Sequence, residues 1–430
     1  MKTNISDLSD LDLARMLEEH YGSVNLLKSP SGVWFFDGLV WRKLSAKEMK
    51  ATATSVLAGT VDKVMRNRLD SMLSVFQTYN WMLDDAFELG DSNIVVMADG
   101  YRSYLDGRWI KLPADRDLRR RIKLPWSYTA GRPVLFDRFL QEILCDADGS
   151  VLADSDQLTA LIWEMLGYCF ATHTRYEQCF MLCGAGANGK SVLGAVAKEL
   201  VGRQHTASVQ PSQMGSVFQR SNLEGKLLNL VTELNQNEEL ADGMLKAIVS
   251  GEMMSVERKH EQVREIEPFA KHIILTNHLP RIKDYSDGLF RRVSIIKLQR
   301  QFLDGKADPH LLEKLRSEMG MIASRALDAL GGLIDANGVF SKPPSSVAAK
   351  DEWRNDNNHV VHFLAEQAYA DPAGHISVQA LYNAYGEWFE GTGLRGKLGR
   401  KEFGKRAETA GLKKLPRKNT GIFFGGVSLR

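Results

Sequence analysis

The stretch Gly184–Ser191, GAGANGKS, limits what this chain can fold into more than any other feature of its sequence. It has the spacing G-x-x-x-x-G-K-[ST], with the apolar run Cys179–Cys183 before it and the helix-forming run Val192–Val201 after it. A phosphate cradle needs strand, glycine loop and helix in that order. Glycines let the backbone curl until several N–H groups point at one centre, and the helix N-terminus adds its dipole to the same anion. Gly184, Ala185, Gly186, Ala187, Asn188, Gly189, Lys190 and Ser191 are therefore expected to line a nucleoside triphosphate. Lys190 would reach its β- and γ-phosphates, and the Ser191 hydroxyl would ligate Mg²⁺. ATP and Mg²⁺ are the implied cofactors.

The loop implies binding alone. Hydrolysis also needs an acid that holds Mg²⁺ and orients water, and a positive charge for the transition state. The apolar strand Leu227–Val231 leads into Glu233, which puts a carboxylate, a second candidate metal ligand, at the carboxyl edge of a sheet, where ligands bind in such folds. The strand His272–Thr276 leads into Asn277, suited to orienting water or sensing a γ-phosphate. Arg291 and Arg292 follow, one of them a candidate arginine finger. Plainer readings stand beside these: a helix N-terminal acid for Glu233, a turn cap before Pro280 for Asn277, and a structural ion pair for one arginine.

Strands alternating with helical stretches predict an α/β fold with a mostly parallel sheet. Phe136–Leu144 and Gln157–Phe170 read as helices ahead of it. Residues 1–130 read as an α+β region with a helix at Leu11–Tyr21. It has hairpins at Val33–Trp41 and Tyr104–Ile110, turning at Asp37-Gly38 and Asp106-Gly107. The run Arg119–Lys123 reads as solvated surface. Residues 131–340 form the expected ATPase domain. Ser341–Ser346, with Pro343-Pro344 and three serines, reads as a linker to a unit at 347–430.

That last unit carries the basic footprint hidden by a formal net charge of only +2. From Arg395 to Arg430 there are eleven basic residues against two acidic ones. Helices at Val360–Tyr369, Val378–Phe389 and Arg400–Ala410 precede a strand pair, Ile422–Phe424 and Val427–Leu429, around Gly425-Gly426. Three helices and a β-hairpin is the order of a winged helix. Lys401, Lys405 and Arg406 would face a major groove, and Lys413, Lys414, Arg417 and Lys418 would flank it on the phosphates. A basic packing domain that binds nothing is the alternative.

Composition excludes some classes. Hydrophobic residues make up 44% and charged residues 25% of 430, an ordinary globular balance with room for two or three domains. The most apolar region, Leu161–Leu182, is interrupted by Glu164, His173, Arg175 and Glu177, so no membrane span is expected. Met1–Asp10 does not read as a signal peptide, and the expected location is the cytoplasm of a bacterial host cell. The four cysteines form no CxxC pair and read as buried, reduced thiols.

Four stretches, CGAGANGKS (183–191), VTELN (231–235), LTNHLPRI (275–282) and DGLFRRV (287–293), together resemble superfamily 3 helicases. The strongest likeness is to the phage/plasmid primase-helicase family, which shares this region with the C-terminal half of the poxvirus primase-helicase. A fifth stretch, SVERKH (255–260), resembles the DNA-binding hairpin of the papillomavirus replicative helicase, whose tip pairs a lysine with a histidine. The resemblance implies an AAA+-like core in a homo-oligomeric, hexameric ring, with ATP at subunit interfaces and a finger arginine supplied by the neighbour. It implies that Lys259 and His260, with Arg258 beside them, grip single-stranded DNA inside the ring. It also implies 3′-to-5′ translocation that unwinds forked DNA. Where many relatives carry two adjacent acids, this chain has Thr232-Glu233. No D-x-D pair in a strand context and no zinc-ribbon cysteines mark a primase site, so a separate primase or polymerase is the expected partner.

Two other functions stay open. One is a replication initiator or loader that binds an origin through the C-terminal unit. The other is an AAA+ machine acting on protein, against which the Lys259-His260 pair argues, since such unfoldases grip peptide with aromatic pore loops.

Overall fold

The fold was read from a computed structural model. It describes residues 8–58, 66–82, 87–88, 93–234, 241–259, 263–282, 287–303, 305, 307–392, 397–416 and 421–430.

The N-terminal part begins with α1 (Asp10–Tyr21), started by a capping box in which Ser9 and Asp12 satisfy each other's backbone N–H groups. Strands β1 (Leu26–Ser29), β2 (Gly32–Phe36) and β3 (Trp41–Lys43) form an antiparallel sheet. Helices α2 (Ala46–Ala58) and α3 (Arg66–Thr78) pack with α1 over Val33 and Leu44, burying Leu13, Leu17, Met72 and Phe76. A second antiparallel sheet holds β4 (Ile94–Met97), β5 (Gly100–Leu105) and β6 (Arg108–Leu112). Both hairpins turn where the sequence predicts. Asp106 and Gly107 take φ of 49° and 75°, the left-handed pair a two-residue turn demands.

The central part runs through α4 (Val134–Ile143), α5 (Ser155–Tyr168), β7 (Cys179–Cys183), α6 (Lys190–Val201), β8 (Thr206–Ala207), α7 (Val217–Arg220) and β9 (Leu228–Val231). It continues through α8 (Asp242–Val249), β10 (Met254–Val256), β11 (Arg264–Ile266), β12 (Lys271–Thr276), α9 (Asp287–Phe290), β13 (Val293–Lys297), α10 (Leu311–Arg316) and α11 (Met319–Asp335). Five of these strands form one sheet in the order β13-β7-β12-β9-β8, and every pairing is parallel. Parallel strands bury both faces, and Cys179–Cys183 is wholly buried accordingly. All five carboxyl ends share one edge. The second small sheet docks on α11, where Trp109 donates to the Leu327 carbonyl at 2.8 Å.

The expected linker at Ser341–Ser346 is not one. Helix α12 (Pro344–Asp356) starts inside it, with Pro344 in the first turn, where a missing N–H costs nothing. Ser341 donates to the Glu164 carboxylate and the Ser345 N–H to Asp154, so the serines tie the segment down. Residues 347–356 pack on the central sheet rather than on the last unit. Trp353 is buried, packs edge-on to Phe290 and donates to the Pro280 carbonyl at 2.8 Å.

The last unit runs α13 (His359–Gln367), β14 (Ala368–Ser377), α14 (Val378–Thr392), α15 (Arg400–Thr409), β15 (Lys413–Lys414) and β16 (Phe423–Leu429) around Phe363, Leu381, Tyr385 and Phe403. The three helices lie where the sequence predicts, but the Gly425-Gly426 hairpin is a correction. Both glycines sit inside the continuous strand β16, between β14 and β15. Gly426, at φ 81°, lies where the β14 register jumps from Ala370 to His375, so it marks a bulge rather than a turn.

Candidate functional site

The glycine loop closes on itself through contacts the motif alone does not disclose. Gly186, Ala187 and Gly189 take φ of 98°, 47° and 85°. A Cβ on Gly184 would lie 2.3 Å from the Leu298 carbonyl, which explains glycine there. The buried Asn188 donates to that same carbonyl at 3.1 Å. Residues beyond β13 brace the loop again: the Phe302 N–H donates to Ala187 at 2.7 Å and Gln301 to Gly186 at 3.1 Å. Pre-ordered in this way, the loop loses little further entropy on binding an anion.

Lys190, the first residue of α6, spends its three donors on the Gly184 carbonyl at 2.5 Å, Asn188 Oδ1 at 3.0 Å and Asn277 Oδ1 at 3.2 Å. Burial holds its ammonium below the ordinary lysine value. Lys190, at the start of the helix after β7, and Asn277, just past the end of the adjacent strand β12, therefore meet directly. Glu233 follows β9, with β12 between it and the loop strand, so it stands two strand spacings away, on the order of 10 Å.

One cavity of about 730 Å³ collects Gly186–Val192, Thr232, Glu233, Thr276 and Asn277. That is the size range of a cofactor site. Its other wall was not foreseen. It consists of Leu135, Arg138, Phe139 and Glu142 from α4, with Phe302, Ala307, Asp308, Leu311 and Lys314. The apolar spacing of α4 announces a helix but not which surface it covers. The wall mixes the apolar Leu135, Phe139, Phe302 and Leu311 with the charged Arg138, Glu142, Asp308 and Lys314. Ser191 and Glu233 are both exposed, one hydroxyl and one carboxylate. This donor set suits Mg²⁺, which takes one or two protein oxygens and completes its shell with phosphates and water.

The paired arginines separate. Arg292 donates to the Ser250 hydroxyl at 3.0 Å and the Gly288 carbonyl at 2.7 Å and pairs with Glu177 at 2.8 Å, with 13% of its side chain exposed. Arg291 is 66% exposed and reaches Glu177 only at 3.5 Å.

The stretch 255–260 enters a two-stranded antiparallel ribbon, β10 with β11. Lys259 is exposed at its tip, and Arg258 pairs with Glu224 at 3.0 Å. His260 lies outside the described residues, as do Arg417 and Lys418. In the last unit Lys401, Lys405, Lys413 and Lys414 are exposed, and Lys414 pairs with Glu408 at 2.9 Å. Arg406 differs: it is 5% exposed, turned inward toward His359 and paired with Glu402, so it is not on the basic face. All four cysteines are buried free thiols. Among the described residues no helix is long and apolar enough to cross a membrane.

Comparison with known proteins agrees with this picture at a coarse level. Residues 182–292, from the loop strand to the arginine pair, match a family described only as of unknown function, DUF5906. "Putative helicase L207/L206" of Acanthamoeba polyphaga mimivirus is 24% identical over 149 residues, 33% of this chain and 16% of that protein. "Putative helicase 022R" of Frog virus 3 is 21% identical over 240 residues, 50% of this chain and 25% of that one. The chain thus spans a quarter or less of these relatives. Among solved structures, the apo C-terminal region of NrS-1 superposes with a TM-score of 0.51 at 12% identity, covering 93% of this chain and 86% of that one. A second apo structure of that region gives 0.51 at 11%, covering 96% and 98%. These matches show a shared fold over nearly the whole chain and a distant relationship to proteins named as helicases.

Proposed function

We propose that this chain is an ATP-hydrolysing DNA helicase of replication, of the superfamily 3 kind, acting on single-stranded and forked DNA. The observation that carries the reading is the single cavity in which Lys190, Ser191, Glu233 and Asn277 meet. In it the loop amides and Lys190 bind the triphosphate, Ser191 and Glu233 hold Mg²⁺, and Asn277 orients water against the γ-phosphorus. Bound Mg²⁺ supplies charge neutralisation of the β- and γ-phosphate oxygens. As water attacks, the bond from the γ-phosphorus to the bridging oxygen breaks, and ADP leaves with inorganic phosphate. Asn277, bonded to Lys190, exchanges that partner when a phosphate occupies the ammonium.

The exposed Arg291, away from the loop, supports its service as a finger to a neighbouring copy in a ring. The bonded Arg292 then holds the finger segment in place. The β10–β11 ribbon with Lys259 is the proposed grip on single-stranded DNA. The order helix, strand, helix, helix, strand, strand in the last unit supports a winged helix with Lys401, Lys405, Lys413 and Lys414 toward duplex. That basic face also favours a second reading, an origin-binding initiator or loader.

Strand displacement separates the two. On a forked duplex with saturating ATP, the helicase reading expects release of the labelled strand. In Lys190→Ala, kcat for ATP should fall at least about 10²-fold, since it removes a donor aimed at the transferring phosphate. A fork that stays paired beside specific binding of origin duplex would leave the initiator reading standing instead.

A further inference from the structure

Resting on the reading of β10–β11 as a DNA ribbon, we infer that Glu224 occupies a phosphate site at the ribbon's base, and that a single-stranded nucleic acid binds by displacing it.

Two guanidinium groups converge on one carboxylate oxygen. Arg258 Nη2, before the tip, and Arg264 Nη2, on the return strand, both bond Glu224 Oε2, at 3.0 and 2.5 Å. Two cations thus face one anion, which leaves the cluster with surplus positive charge. The side chains of Arg258 and Arg264 remain 42% and 30% exposed, so the cradle opens to solvent. A structural ion pair needs one guanidinium per carboxylate. Two guanidinium groups on a single oxyanion is a donor set that a phosphodiester can take.

The ribbon keeps its place without Glu224. The buried Arg220 donates to the Ser255 carbonyl at 3.0 Å and to Met214 and Gly215, and the Glu257 N–H donates to Val217 at 3.3 Å. The carboxylate is therefore free to leave. It sits on a short loop four residues ahead of β9, the strand that leads to Glu233. Exchange of carboxylate for phosphate would release that loop as the strand is gripped. The surface adds Arg264 to the ribbon-tip cations.

Binding of a fluorescein-labelled oligothymidylate to the full chain, across a salt series, tests this. Exposed pairs of this kind hold only modest energy, so Glu224→Gln should bind about two- to fivefold tighter. Its log K against log salt should keep the wild-type slope, because the phosphate contact is made in both proteins. Arg264→Gln should weaken binding and flatten that slope by about 0.7, one phosphate contact fewer. It carries the test alone if Glu224→Gln does not fold. Equal or weaker binding by a folded Glu224→Gln, or an unchanged slope in Arg264→Gln, overturns the inference. Failure of the wild-type chain to bind the oligonucleotide at all would instead remove the DNA reading beneath it.

Discussion

Arg291 and Arg292 are neighbours of one type, and nothing in their order tells them apart. Their surroundings do. Arg292 is enclosed by Ser250, Gly288 and Glu177, and replacing it would strand those acceptors. Arg292→Ala should cost about 1–3 kcal/mol in a denaturant melt, and Arg291→Ala should stay within about 0.5 kcal/mol. The activities should rank the other way, with Arg291→Ala lowering steady-state ATP turnover by about 10³-fold, as expected of a finger. Wild-type turnover in Arg291→Ala would dismiss it from the site. The same contrast holds between Arg406 and the exposed Lys401 and Lys405. Charge is legible in a sequence, but the direction of a side chain is set by what packs beside it.

At the scale of elements, apolar patterning located α1, α4, α5, α6, α13, α14 and α15 and the strands β7, β9 and β12 to within a few residues, because period and burial are linked in any fold. It failed where composition and context disagreed. Pro343-Pro344 with three serines has the composition of a linker, yet begins α12, whose Trp353 fills the space under β13. Trp353→Ala should lose about 3–5 kcal/mol, as expected for emptying a fully buried indole site. A chain ended at residue 342 should melt below one ended at residue 358. Equal melting of the two would make 344–356 the linker that its composition suggests. Gly425-Gly426 failed similarly. Glycine marks a special backbone, and whether that is a turn or a bulge depends on the partner strand.

Four histidines spread over the molecule are held neutral by burial. Burial pushes His173 and His272 down to about 3, and His205 and His359 down to about 4. His272 Nδ1 bonds the Asn229 amide at 3.1 Å within the central sheet, leaving no room for a second proton's solvation. Between these values and the ordinary 6.5 the unfolded chain binds more protons than the folded one, so stability rises with pH through that window. It is fully present above about pH 6.5 and lost as pH falls toward 3. Urea midpoints should drop steadily from about pH 7 to about pH 4, less steeply in His272→Phe; a flat profile would refute it. By itself the sequence determined the loop, the strands on either side of it, and the candidates Glu233 and Asn277, because a phosphate cradle and a buried parallel strand are local patterns. Only the tertiary structure decided that Asn277 bonds Lys190 and that β12 separates Glu233 from the loop. It also made α4 the far wall of the cavity and set Glu224 between two ribbon arginines. Each of these depends on strand order and on packing between segments far apart in the chain, which no local pattern encodes.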